Sequence, residues 1–119
     1  MTNNTKLPIP RKLDRGMIEA LALAVSKGNY PMTACQLVGI DYVTFTRWMD
    51  AGVKVYESNV DIVDEYSQLY YDLLVAIKNA EAVAEDKLVQ VVRDSAEVKR
   101  EWLPAMTMLE RRHPDRWGR

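Results

Sequence analysis

The sequence predicts an all-α protein, an N-terminal helix-turn-helix followed by a long-helix antiparallel hairpin. Three observations carry this. Apolar residues recur at helical spacing up to Gly39 and again from Phe45, with the short interruption Gly39-Ile40-Asp41 between them. From Ile62 to Val91 apolar residues recur every three or four positions. No glycine or proline falls between residues 53 and 103.

Residues 1–12 contain two prolines and no apolar periodicity, and read as a flexible basic arm carrying Lys6, Arg11 and Lys12. Residues 13–54 are read as the helix-turn-helix domain. Asp14 is placed to cap a first helix with the stripe Met17, Ile18, Leu21, Ala24 and Val25, and Lys27-Gly28-Asn29 supplies its basic last turn and stop. Pro31 suits the first turn of a second helix, because the N–H it lacks would have no partner there. That helix is expected to run to about Val38. Gly39 tolerates the positive φ of a sharp turn, Ile40 points inward behind it, and Asp41 is a good N-cap for the next helix. This third helix is expected over Tyr42 to Ala51, ended by Gly52, and residues 55–60 are read as a linker.

Residues 61–112 are read as a central oligomerisation hairpin. Ile62, Leu73 and Ala84 are eleven residues apart, as are Tyr66, Ile77 and Leu88, and Leu69, Ala80 and Val91. Such a repeat averages 3.67 residues per turn, so the stripe stays on one face of a nearly straight helix. Val63, Tyr70, Leu74, Val83, Val89 and Val92 widen the apolar surface. A turn near Ser95-Ala96-Glu97 would let a second stripe, Trp102, Leu103, Met106 and Leu109, fold back over part of it. The rest points to self-association through Ile62, Tyr66, Leu69, Leu73, Ile77, Leu88 and Val91. Residues 113–119 form a C-terminal tail.

At 119 residues the chain can bury one modest core, and 48% hydrophobic with 28% charged content is ordinary for a globular protein. No apolar run has the length of a membrane span, and no secretory signal is evident, so neither a membrane nor an extracellular role is expected. The single Cys35 and single His113 argue against disulfides and a dedicated metal site. The net charge of −1 divides unevenly, with +2 over residues 1–60, −6 over 61–98 and +3 over 99–119. Basic ends and an acidic middle suit a protein that offers one part to a polyanion and another to protein partners.

With Ala34, Val38, Ile40, Phe45 and Trp48 inward and Cys35 small enough for close helix approach, residues 34–52 have the pattern of a DNA-binding helix-turn-helix. Tyr42, Thr44, Thr46 and Arg47 are then expected to project outward as contacts to bases and phosphates, with Gln36, Lys12, Arg15 and Lys27 around them. A catalytic constellation is not evident. There is no glycine-rich phosphate loop and no HExxH helix, and His113 has no nucleophile at motif spacing, so no enzymatic activity, cofactor or metal is expected. Glu65, Asp72, Glu81, Glu85 and Asp86 read as a solvated face of the long helix.

The stretches TACQLVGIDYVTFTRWMDAG, AIKNAEAVAEDKLV and AMTMLERRHPDRWGR together resemble the small terminase subunits of tailed bacteriophages, over roughly residues 14–119. The ending Leu109-Glu110-Arg111-Arg112-His113-Pro114-Asp115-Arg116-Trp117-Gly118 is the most specific part of the likeness. The resemblance implies a nonenzymatic component of a genome-packaging motor, in the cytoplasm of the infected bacterial host and outside the mature virion. It further implies recognition of double-stranded viral DNA at the packaging site, with Asp41 to Ala51 as the DNA-binding helix. A homo-oligomeric ring of about eight to twelve subunits and recruitment of the large terminase subunit, an ATPase and nuclease, complete the implied activity. The chain has a shorter tail than some family members, and VYESNVDIVDEYS is an extended link for the family. Arg111, Arg112, Arg116 and Trp117 could serve as a second DNA contact or a docking patch, but the preferred role is structural, with the arginines pairing with the acidic helix and Trp117 clamping the chain end. Two other readings use the same motif: a dimeric helix-turn-helix transcriptional regulator on a two-fold site, and a transposase-type accessory domain.

Overall fold

A computed structural model describes residues 12–58, 61, 64–97 and 103–118. Among these residues helix is the only regular secondary structure, and there is no strand. The helices are α1 (Arg15–Ser26), α2 (Pro31–Val38), α3 (Tyr42–Ser58), α4 (Glu65–Glu97), α5 (Leu103–Arg112) and the single turn α6 (Pro114–Trp117). None of them is long and apolar enough to cross a membrane.

The first three helices begin where local chemistry starts them. Asp14 caps α1, its Oδ1 accepting from the Met17 N–H at 2.8 Å. After Ser26 the chain leaves the helix through Lys27 and a left-handed Gly28, and the Asn29 side chain donates to the Ala24 carbonyl at 2.9 Å. Pro31 opens α2. Gly39 closes it at φ 83°, and the N–H groups of Gly39 and Ile40 both donate to the Cys35 carbonyl, at 2.9 and 3.0 Å. An added Cβ at Gly39 would meet nothing within 4 Å, so glycine is required there by backbone conformation and not by space. Asp41 precedes α3 and its carbonyl accepts from the Phe45 N–H at 3.2 Å.

Gly52 does not end α3, as the sequence had suggested. The helix continues through it to Ser58, so the expected linker at 55–60 is helical over its first four residues. The reason is tertiary. A Cβ on Gly52 would lie 2.4 Å from the Tyr70 carbonyl oxygen and 3.1 Å from Leu74 Cβ, so glycine permits α3 to lie directly on α4. Asp64 starts α4, accepting from the Ser67 N–H and Ser67 hydroxyl at 2.9 Å each. These bonds, the backbone one first, hold the Asp64 carboxyl below its ordinary range. The helix then runs 33 residues, about 50 Å. It passes through Ser95-Ala96-Glu97, where a turn was expected; no glycine or proline lies there to stop it. Ile62 and Trp102 lie outside the described residues.

The chain divides into two compact units, Met1–Ala80 and Glu81–Arg119, within α4 and not at the expected linker. The core of the first unit joins Leu13, Met17, Ile18, Leu21, Ala24 and Val25 to Ala34, Cys35, Ile40, Phe45 and Trp48, and closes over Leu69, Leu73, Ile77 and Ala80 of α4. Leu69, Leu73 and Ile77, expected to face other subunits, are therefore interior residues of the chain's own fold. The eleven-residue periodicity marks a buried face from Leu69 to Ala80, which α1 to α3 cover, but not at both ends of the repeat. Leu73 is 0% exposed, whereas Tyr66 and Val91 are exposed and Leu88 is half-buried. In the second unit Ala84, Ala105 and Leu109 are buried. The stripe of α5 thus runs Ala105 to Leu109, and Leu103 is exposed.

Gly52→Ala should destabilise the first unit by about 1–3 kcal/mol in urea unfolding, because a backbone carbonyl cannot swing aside as a side chain can. Gly16→Ala is the control, since its added Cβ would make only an ordinary contact, 3.5 Å from Asp14 Oδ1. Equal stability of the two variants would contradict the close approach.

Candidate functional site

The packing of α3 fixes which of its side chains reach solvent. Phe45 and Trp48 are buried, so Tyr42, Val43, Arg47 and Asp50 lie on the outer side. Tyr42 stacks on Phe45 with ring centroids 6.0 Å apart, which holds the phenol at the start of the helix. Arg47 is exposed one turn further on. Thr46 is half-buried and its hydroxyl donates to the Val43 carbonyl at 2.8 Å. Thr44 lies on the flank and is half-buried, not outward as expected: four residues before Trp48, it shares the inward side of the helix. Gln36 and Leu37 are exposed near the end of α2.

Val43 was missed by sequence reasoning, although the register of Phe45 and Trp48 already places it outward. It is 50% exposed. Asp41 and Asp50 bracket Arg47 in the sequence and are exposed too, so this face is polar and nearly balanced in charge.

Of the four basic residues expected to support a polyanion contact, two are engaged with α4. Arg15 pairs with Asp72 at 2.5 Å, and the Lys12 ammonium sits 5.7 Å from the centroid of Tyr66. Lys27, just after α1, and Arg47 on α3 are exposed, as Lys12 and Arg15 also are. Gln36, Tyr42, Thr46 and Arg47 thus belong to α2 and the first turns of α3, while Lys12 and Arg15 belong to the α4 side.

Cys35 is buried where α2 turns into α3. Burial, with a smaller contribution from the Asp41 charge, pushes its thiol up to about 11. The protonated thiol acts as a small apolar packing residue, neither nucleophile nor ligand.

The second unit holds a separate polar constellation at Glu85. Arg116 Nε donates to Glu85 Oε2 at 2.8 Å, a second Arg116 nitrogen donates to Oε1, and the Trp117 indole N–H donates to Oε2 at 2.6 Å. His113 Nδ1 lies 3.9 Å from Oε1. The chain reaches this geometry because α5 ends at Arg112 and Pro114 starts α6 one residue later, turning Arg116 and Trp117 back onto α4. The Arg116 and Trp117 bonds hold the Glu85 carboxyl down to about 2. Arg116 and Trp117 therefore have the structural role that the sequence suggested. Among the described residues no group of His, Cys, Asp or Glu side chains is arranged to hold a metal.

Comparison with protein-family models, curated proteins and solved structures finds no match for this chain.

Because Glu85 is held below its usual 4.5, the clasp contributes stability above that pH and loses it as the pH falls from 4.5 toward about 2. The Trp117 indole N–H resonance should keep its clasped position at neutral pH and move toward that of a free indole through this acid window. In Glu85→Gln the resonance should be displaced already at neutral pH. Identical titrations of the two proteins would show that Glu85 does not hold the tail.

Proposed function

We propose that this chain is a small terminase subunit, a nonenzymatic protein whose α2, turn and α3 form a helix-turn-helix that binds double-stranded viral DNA. The observation that carries this reading is the pattern of burial about Gly39. Ala34, Cys35, Ile40, Phe45 and Trp48 are inside, the turn is left-handed at Gly39, and the first turns of α3 offer Tyr42, Val43 and Arg47 to solvent. A recognition helix needs this arrangement, with its N-terminal turns free to enter a major groove and the preceding helix braced behind it. Val43 then reads a thymine methyl, Arg47 a guanine edge or a phosphate, and Gln36 the backbone beside them.

The chain works in this reading as an oligomeric ring in the cytoplasm of the infected host, where it delivers viral DNA to the large terminase subunit. The second half of α4 with α5 is the antiparallel hairpin, tied by Glu85 to the segment after α5. Val83, Val91, Leu103 and Met108 are its exposed large apolar residues. They take the place of Leu69, Leu73 and Ile77 as the apolar residues available to neighbouring subunits.

DNA binding by one subunit is weak, since Lys12 and Arg15 are engaged with Tyr66 and Asp72, which leaves Lys27 and Arg47 of the four expected basic residues. Two phosphate contacts give a slope of about −2 in log affinity against log salt. Arg47→Ala should lower affinity for duplex DNA on the order of tenfold, measured by fluorescence anisotropy at low salt, with the helical content unchanged. Unaltered DNA affinity in that variant would remove α3 as the recognition helix.

A further inference from the structure

The continuation of α3 through Gly52 decides which side chains share its outer face. At about 100° per residue, Val43, Arg47, Asp50 and Lys54 fall within about 60° of one another around the helix. All four are exposed. Phe45, Trp48 and Gly52, which are buried, lie on the opposite side. A helix ending at Gly52 would have dropped Lys54 from this stripe; the unbroken one places it about two turns past Arg47, about 10 Å along the axis. Among the described residues neither Arg47 nor Lys54 takes part in an ion pair, in contrast to Arg15 and Arg116.

We propose that Lys54 holds a backbone phosphate at the rim of the major groove and so fixes how deeply α3 enters it. The contact rests on the reading of α3 as a recognition helix, and it adds a residue past the end at Ala51 that the sequence had suggested. The major groove is about 8.5 Å deep and about 12 Å wide. With Val43 at the base edges, the Lys54 backbone stands about 16 Å further along the helix, beyond the rim. Helical side chains lean back toward the N-terminus, over the turn before their own Cα, which returns the ammonium to the level of the phosphates. Asp50 lies four residues before Lys54 and Glu57 three after it, both exposed. An exposed ion pair at such spacing is weak, so neither acid withholds the ammonium from a phosphate. The two carboxylates instead repel phosphate on either side, leaving a single narrow cationic point and not a diffuse basic patch. A contact of this kind sets position without reading sequence.

The test is the salt dependence of binding to fluorescein-labelled duplexes of mixed sequence, followed by anisotropy on full-length wild type, Lys54→Gln and Lys54→Arg. A third phosphate contact steepens the wild-type slope of log affinity against log salt from about −2 to about −3. Lys54→Gln should return it to about −2 and lower affinity at low salt by about three- to tenfold, alike on duplexes of different composition. Lys54→Arg should keep the wild-type slope, because it keeps the charge. Circular dichroism checks that these exposed substitutions leave the fold intact. Wild-type slope and affinity in Lys54→Gln overturn the proposal. So does an equal loss in Lys54→Arg, which would mean that charge is not what Lys54 supplies, or a loss confined to one duplex sequence. If Arg47→Ala lowers affinity in the same assay while Lys54→Gln does not, α3 remains the recognition helix and only the rim contact falls. A wild type that fails to bind duplex DNA at low salt removes both.

Discussion

The close approach of α3 to α4 at Gly52 is the constraint on which the first unit depends. A helix backbone can lie this near another only where no Cβ intervenes, and the Tyr70 carbonyl occupies the place a Cβ would take. With that contact made, α3 has no cause to stop and extends to Ser58. The apolar face of α4 from Leu69 to Ala80 closes the core formed by α1, α2 and the first half of α3. The two central glycines thus serve different ends. Gly39 supplies a conformation in open space, and Gly52 supplies space within a regular helix.

The consequences reach the outer surface. Phe45 and Trp48 are fixed inward, which turns Tyr42, Val43 and Arg47 out and brings Thr44 to the flank. The same packing leaves the far end of α3 beside α4 as a groove with an exposed tyrosine at its edge. One helix therefore presents two faces of different chemistry. Its beginning presents Tyr42, Val43 and Arg47 between two exposed aspartates, and its end carries Val53 and Tyr56 beside Glu57 and Lys78.

The separation of basic ends from an acidic middle also has a partly internal resolution. Arg15 meets Asp72 in the first unit and Arg116 meets Glu85 in the second, so cations from both termini neutralise the acidic helix. These pairs withdraw positive charge that the sequence had offered to a polyanion. A surface ion pair such as Arg15–Asp72 contributes little to stability on its own. Glu85 is different in kind: three donors converge on one carboxylate, and the indole adds a directional bond to the ionic one.

Legibility in the sequence depends on the range over which each signal acts. The Asp14 cap, the Gly28-Asn29 stop, Pro31 and the turn at Gly39 act within a few residues, and each appears where the sequence placed it. The end of α3 was not legible, because the role of Gly52 is set by a carbonyl eighteen positions away in the chain. The stripe of α4 was legible as a buried face but not by what buried it, since periodicity encodes orientation and not partners. The outward position of Val43 could have been drawn from the register of Phe45 and Trp48. The central claim is that α4 up to Ala80 is the interior wall of the first unit, and native-state hydrogen exchange tests it most directly. The account predicts that the amides of Leu73 and Ile77 exchange with the same opening free energy as those of Val25 and Trp48. Exchange of the α4 amides through a markedly easier opening, while Val25 and Trp48 stay protected, would contradict it.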